Sequence, residues 1–308
     1  MMNRPTRHRG FALLMALVLV VLAGAVLAGV ARRSGVRALQ AREATEQLQR
    51  RWAMTTAQST LLPRVPLVLE ATERGDVELD PEGEPVGYAN APVPALTVDC
   101  RLAGLQYRFI LTDEQAKVNV NTLVGMYGLG DTRTMLQRAM TQRRQSSQQS
   151  PLTVRLRRNN TAEDVVGRRA FESFGQVIEQ TDIARLIGDD ADGPASLLTF
   201  WTNGQLNIRR ASPEALKMLG RRSLGPQLVS ELIELRDEAP YTPLKQLKGR
   251  LSRFDREQEE QIDRLLTDES SCHGLWMIAN GSLRSWTAFA VGIGDVQNGL
   301  WQTHAYHW

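Results

Sequence analysis

The chain has 308 residues, with 37 Lys and Arg against 34 Asp and Glu, for a formal net charge of +3. That balance gives no footing for a polyanion partner through net charge alone, and two cysteines are too few for a disulfide-stapled mini-fold or a four-cysteine metal site. The length leaves room for one sizeable core or two modest ones.

Arg4, Arg7, His8 and Arg9 precede Gly10 and Phe11, and no charged side chain follows until Arg32. At 1.5 Å per residue, about 20 apolar helical residues cross the ~30 Å hydrocarbon layer, so this segment is expected to enter a membrane. A removable secretory signal, a plain anchor and a leader trimmed ahead of a retained helix share this hydropathy. A secretory signal has an apolar stretch of roughly 7–15 residues and a small-x-small cleavage site, for which Ala23-Gly24-Ala25 is available. The apolar run, however, continues to Val30-Ala31, and Ser34 to Leu62 holds one glycine and no proline. A helix over 11–62 is predicted, about 78 Å long. Arg4, Arg7 and Arg9 are matched by Arg32, Arg33 and Arg37, so the positive-inside rule is nearly silent on orientation.

Past the apolar run, Ala41, Ala44, Leu48 and Trp52 recur at helical steps, a stripe expected to pack on a globular head, while Glu46 and Arg50 form an i,i+4 pair on another face. Pro63 and Pro66 are expected to end this helix, and residues 70–95, rich in Gly, Pro and acidic side chains, read as a loop. Leu96, Val98, Cys100 and Leu102 alternate, then Tyr107, Phe109 and Leu111 alternate past a turn near Gly104, which predicts a hairpin. From Asp113 the pattern is helical for about 150 residues, interrupted by a Gln/Ser-rich stretch at 142–150. Strands return with Trp276-Met277-Ile278, an Asn280-Gly281 turn, Leu283 to Ile293, a Gln297-Asn298-Gly299 turn and a last segment to Trp308.

The helical stretch contains an internal echo. Lys117-Val118-Asn119-Val120-Asn121 and Gln205-Leu206-Asn207-Ile208-Arg209 are both apolar-Asn alternations leading into helices. After the second, Ser212 can cap, Pro213 suits the first helical position and Glu214 favours the positive helix end, with the helix ending near Gly220. Gly225-Pro226 opens another helix with Leu228, Val229, Leu232, Ile233 and Leu235 on its apolar face, and Thr242-Pro243 and Asp255-x-x-Gln258 open two more.

A short basic leader ending in Gly10, then Phe11 and an unbroken apolar helix, resembles the type IV prepilin and pseudopilin signal. The resemblance implies cleavage after Gly10 by prepilin peptidase, N-methylation of Phe11 and retention of the helix. Without the three leader arginines, 34 basic residues face 34 acidic ones. Most pilin-like subunits carry glutamate at the fifth mature position, where this chain has Met15. A buried carboxylate needs a paired charge, and a tip subunit has no neighbour above it to neutralise. The K-type minor pseudopilin of type II secretion typically lacks this glutamate; an ordinary lipid-facing residue of a plain anchor is the other reading of Met15. Asp113-Glu114-Gln115-Ala116-Lys117-Val118-Asn119-Val120-Asn121, then Leu206-Asn207-Ile208 with Ala211-Ser212-Pro213-Glu214, also resembles the K-type pattern, although Arg209-Arg210 stands where a second Asn-Thr is usual.

This resemblance implies an α+β fold: leader 1–10; transmembrane and amphipathic helix 11–62; loop and first strands of a small antiparallel sheet 63–112; inserted helix-hairpin-helix-like domain 113–266; C-terminal strands 267–308. It further implies a single-pass inner-membrane protein with its C-terminal domain in the periplasm. The implied partners are I- and J-type minor pseudopilins, the major pseudopilin and prepilin peptidase, and the implied role is capping and initiating the pseudopilus for protein export. In an oxidising periplasm Cys100 and Cys272 can be bonded or remain two separate thiols. Asp189, Asp190 and Asp192 before Gly193 form a fragment of a calcium-type oxygen ligand loop, and K-type relatives can carry calcium; a solvated acidic turn is the other reading.

No enzyme signature is present: there is no G-x-S-x-G, no phosphate loop with G-K-[ST] and no H-E-x-x-H, so no catalysis and no required cofactor are expected. Cys272-His273 and His304-x-x-His307 suggest zinc only weakly, because their odd spacing sends His304 and His307 to opposite faces of a strand; terminal surface histidines are expected instead. The helical region also resembles the helix-hairpin-helix modules of membrane-anchored DNA-binding proteins. The matching stretch, Gly220-Arg221-Arg222-Ser223-Leu224-Gly225, spaces its glycines five apart, and Glu231, Glu234, Asp237 and Glu238 face Arg236. No nucleic acid is therefore expected, with DNA binding kept as the alternative function.

Overall fold

The computed structural model describes residues 8–75, 87–102, 104–143, 153–156, 171–179, 183–188, 193–252, 254–281, 285–295 and 300–307. The chain divides into two compact units, residues 1–53 and 54–308, and its class is α+β. Helix α1 (His8–Thr60) contains the expected apolar segment. Among the described residues, one helix is long and apolar enough to cross a membrane, and none of its most apolar stretch is buried. Further along α1, Glu46 accepts from Arg50 Nη2 at 3.0 Å and from Arg42 Nε at 3.3 Å.

Met54 and Ala57, in the last turns of α1 and within the second unit, are buried.

Helix α1 ends at Thr60, just ahead of the prolines as expected, but helical structure resumes past it. Pro63 lies in a 3-10 turn (Leu62–Arg64) and Pro66 in the first turn of α2 (Val65–Arg74), where a missing N–H costs no intrahelical bond. Helix thus occupies residues assigned above to loop. The predicted hairpin is present as β1 (Ala95–Leu102) and β2 (Leu105–Asp113), paired Cys100 to Tyr107 and Val98 to Phe109, with Gly104 at φ 84° in the turn. The C-terminal strands are β7 (Cys272–Asn280), β8 (Ser285–Asp295) and β9 (Leu300–His307). The sheet order is β1-β2-β7-β8-β9, all antiparallel.

Register assigns two faces, since directly opposed residues share a side. One face carries Tyr107, Phe109 and Leu111, opposed by Ala279, Met277 and Leu275, then Ala288 and Ala290. It packs with α2, whose Val65 and Leu69 are buried, as is Leu62 before it. The other face carries Ile110, Trp276, Phe289 and Val291, which join one buried cluster with the residues between β2 and β7.

That insertion begins at β3 (Val118–Asn119) and α3 (Val120–Arg143), which is broken at Gly128 with φ 75° and ψ 170°. It continues with the short helices α4 (Phe174–Val177) and α5 (Ile183–Ile187), then β4 (Leu198–Thr199) and β5 (Leu206–Asn207). Helices α6 (Pro213–Gly220), α7 (Pro226–Glu238), α8 (Leu244–Arg250) and α9 (Arg256–Leu265) follow, and β6 (Leu266–Thr267) leads back to the sheet. The expected caps form: Ala215 N–H donates to Ser212 Oγ at 3.1 Å, and Asp255 and Gln258 exchange bonds of 2.7 and 3.1 Å as a capping box. At α8, Thr242 is not the cap; Leu244 N–H is met by Asp268 Oδ2 at 2.9 Å, from a residue distant in sequence.

The insertion and the sheet are joined by aromatic packing. Trp276 and Phe289 of the sheet meet at 4.5 Å between ring centroids, Trp201 reaches Phe289 at 4.8 Å, and Phe174 and Phe200 pack edge to face at 4.9 Å. Each fully buried ring of this kind contributes about 1.5–3 kcal/mol. The helical residues therefore share one core with the sheet.

Candidate functional site: the anchor signal and the buried polar junction

Gly10 has helical backbone at the start of α1, and Phe11 and Met15 are exposed on it. Arg4 and Arg7 lie outside the described residues, as do Asp189, Asp190 and Asp192. Among the described residues no group of three or more His, Cys, Asp or Glu is arranged to hold a metal ion. His304 is exposed on β9 as expected, whereas His273 is 2 % exposed, because β7 runs through the middle of the sheet.

The two cysteines are not joined. Cys100 pairs with Tyr107, which pairs with Ala279, and Cys272 lies seven residues back from Ala279 along β7. This separates them by roughly 23 Å along the strand direction, far beyond the Cα spacing of about 7 Å that a bond tolerates. The odd offset also puts them on opposite faces, Cys272 in the core shared with the insertion. Of the two readings left open by the sequence, the structure has separate thiols.

The echo around Asn119 and Asn207 is a repeated structural device. Each asparagine ends a two-residue parallel strand, Val118–Asn119 beside Leu198–Thr199 and Leu206–Asn207 beside Leu266–Thr267. Each then accepts the backbone N–H two residues on, Asn121 at 2.9 Å and Arg209 at 3.0 Å, an Asx turn that starts the next segment. The amide groups face inward: Asn119 Nδ2 donates to Thr202 O at 2.9 Å, and Asn207 Nδ2 to Ser270 Oγ at 2.7 Å and Asp113 Oδ2 at 3.2 Å.

Asp113-Glu114-Gln115-Ala116-Lys117 is buried throughout, at the point where β2 leaves the sheet. Glu114 is ion-paired with Lys117 and accepts from Thr112 Oγ1 and Thr199 Oγ1, both at 2.8 Å. Gln115 Oε1 accepts Ser271 N–H at 2.5 Å. Asp113 Oδ1 accepts Gln115 N–H at 2.9 Å, and Oδ2 accepts from Ser270 Oγ at 2.6 Å and Arg210 Nη1 at 3.2 Å.

Arg209 and Arg210, the departure from the expected repeat, complete this network. Arg210 Nε donates to Glu73 Oε1 at 2.7 Å, Arg209 is ion-paired with the other Glu73 oxygen, and Val93 N–H reaches Glu73 Oε1 at 2.8 Å. Burial raises the Glu73 carboxyl, but Arg210, the Val93 N–H and Arg209 outweigh it and hold it below the usual carboxylate range. Arg209 also stacks over Tyr88 and Tyr241, with 5.0 and 4.8 Å to the ring centroids, and the two rings stack on each other at 3.7 Å. Burial, then the Glu73 charge, push the Tyr241 phenol up to about 12. His273, directly opposite Asp113 on β7, has neither ring nitrogen bonded. Burial outweighs the attraction of Asp113 and holds its pKa down at about 4. Sequence reading missed Glu73 because residue 73 fell inside a presumed loop.

The hairpin compared above with DNA-binding modules has a different electrostatic character in place. Arg222 is ion-paired with Asp131 and lies 5.6 Å over the Tyr127 ring. Arg236 is buried and donates to the Ala211 and Ile208 carbonyls at 2.5 and 3.3 Å, so it offers no surface cation on α7.

The sequence matches no family profile and no curated protein. Among solved structures, a chain of the GspK-GspI-GspJ complex from the enterotoxigenic Escherichia coli type 2 secretion system is similar at 13% identity with a TM-score of 0.47, covering 87% of this chain and 99% of that one.

Proposed function

We propose that this chain is a K-type minor pseudopilin of a type II secretion system: cleaved after Gly10, N-methylated on Phe11, held in the inner membrane by the apolar part of α1, with the α+β unit in the periplasm. The observation that carries the reading is the order Gly10, Phe11, then an apolar segment inside a helix that runs without a break to Thr60. A removable signal has no use for such a continuation. Within this reading the chain caps the pseudopilus together with I- and J-type subunits and above the major pseudopilin, and its work is assembly rather than catalysis. Met15 fits a tip subunit, since no carboxylate at that position then waits for a neighbour's amine. Calcium bound through Asp189, Asp190 and Asp192 belongs to the same proposal; its test is a calcium-dependent rise in melting temperature lost on Asp→Ala changes there.

The decisive experiment is mass spectrometry of the N-terminus of the membrane-extracted protein made with prepilin peptidase present. N-methylated Phe11 is expected, with Gly10→Ala accumulating as uncut precursor and Met15→Glu still processed. A mature end at or beyond Val26, or normal processing of Gly10→Ala, refutes the reading.

A further inference from the structure

A cleft of about 380 Å³ opens between the N-terminal half of α3, the α6–α7 turn and α9, lined by Tyr127, Arg222, Ser223, Glu257, Gln261 and Arg264 among others. Its size falls in the ~300–1,000 Å³ range of sites for small ligands, enough for a few residues of an extended chain. Glu257, Gln261 and Arg264 follow one another at i, i+4 and i+7 on α9 and so share one face. The opposite wall is pinned: Tyr127 Oη donates to Leu219 O at 2.6 Å, and Gln258 Nε2 ties α9 to the turn through Leu224 O at 3.0 Å.

The polar groups here are mixed in a particular way. Arg222 is placed over the Tyr127 ring by its pairing with Asp131, which uses only part of a guanidinium with five N–H donors. Arg264 is exposed at the other end of the α9 face. Gln261 Oε1 is buried with no hydrogen-bond partner, a position that a buried acceptor seldom keeps. The wall therefore offers cationic donors for an anion and acceptors for N–H groups side by side.

We propose that this cleft binds a peptide carboxylate, held between Arg222 and Arg264, with neighbouring peptide N–H groups accepted by Gln261 and Glu257. Peptide is favoured over nucleic acid because a phosphodiester backbone carries no N–H donor for Gln261 or Glu257. The carboxylate can belong to an acidic side chain or to a chain end. The site stands whether or not the chain is a pseudopilin.

The test is fluorescence anisotropy on the full-length protein in detergent micelles with three dye-labelled tetrapeptides. These are Gly-Gly-Ser-Glu with an amidated end, its Gln counterpart, and Gly-Gly-Ser-Gly with a free carboxyl end. Saturable binding of at least one carboxylate peptide is expected, at least tenfold weaker for the Gln peptide and at least tenfold weaker in Arg222→Ala and in Arg264→Ala. Arg250→Ala, on α8, leaves it unchanged. Preference for the Glu peptide assigns an internal acidic residue, and preference for the free end assigns a terminus. Absence of saturable binding, equal binding of the Gln peptide, indifference to both arginine changes, or displacement of bound peptide by a short DNA duplex overturns the proposal.

Discussion

Replacing Arg210 by methionine tests whether the polar junction, rather than the apolar core alone, holds α2 and the helical insertion to the end of the sheet. Arg210 is bonded to Glu73 at 2.7 Å and to Asp113 at 3.2 Å, and both carboxylates are fully buried. Methionine keeps most of the side-chain volume but leaves two charges without their shared cation. Removing one member of a buried ionic group costs about 3–5 kcal/mol. Here the lower end is expected, because Glu73 keeps Val93 N–H and Arg209, and Asp113 keeps Ser270 and Asn207. In a unit of this size about 3 kcal/mol lowers the melting temperature by roughly 6–12 °C, measured by circular dichroism on the detergent-solubilised protein. Glu73→Gln combined with Arg210→Met should lose less than the sum of the single changes, by about 1 kcal/mol or more. The Glu73 carboxyl is held low, so its contribution is present above the unfolded pKa and lost as pH falls through the folded value; the penalty of Arg210→Met should therefore shrink in acid. A loss under about 1 kcal/mol at neutral pH, or strict additivity, refutes the reasoning.

Three further outcomes follow from individual side chains. His273 stays neutral in the fold down to about pH 4 while an unfolded histidine takes a proton near 6.5, so stability is full above pH 6.5 and falls by up to about 3 kcal/mol towards pH 4; His273→Gln should flatten that part of a urea-denaturation profile, and an unchanged slope counts against it. A methyl group on Gly274 would lie 2.5 Å from Thr112 Oγ1, 2.6 Å from Glu114 Oε1 and 2.9 Å from Phe289; Gly274→Ala should therefore cost about 1–3 kcal/mol, and a variant with wild-type thermal stability would contradict this. Cys100, half-exposed on the outer strand, should alkylate in the native protein, whereas Cys272 should react only after unfolding; a reductant-sensitive mass change would mean that the two are bonded after all.

Features set by local chemistry were legible in the sequence. Ser212 with Pro213, and Asp255 with Gln258, satisfy helix-start donors within three residues, and alternation from Leu96 to Leu111 is enough to place the first hairpin. The failures share one cause, which is partnership at long range. Arg210 meets Glu73 across 137 positions and Asp113 across 97, so its charge looked like a defect in the repeat. The cysteine question turned on β2 lying beside β7, which fixes the faces and separation of the two residues. The roles proposed for Gly10 and Phe11 lie in reactions at the backbone, to which the fold adds only that the helix behind them is continuous.

The buried charges gather where they do because the chain crosses one end of the sheet twice. β2 runs out at Asp113 into β3, and β6 returns to β7 at Cys272, so two segments without regular pairing pass beside each other in the interior. Their backbone groups need partners that no strand supplies. Asp113, Gln115 and Glu114 serve Gln115 N–H, Ser271 N–H and the Thr112 and Thr199 hydroxyls, and Ser270 and Asn207 close onto Asp113 from the returning side. By contrast Asp99 and Arg108, paired at 2.9 Å within the hairpin, lie at the surface, where solvent screens the pair and leaves it little weight. The acidic motif is thus the stitching of an insertion into a sheet. Because that insertion also covers Trp276 and Phe289, it shares one core with that face of the sheet. The helical region is thus tied to the strands through the shared core and to α2 through the ion pairs of Glu73 with Arg209 and Arg210.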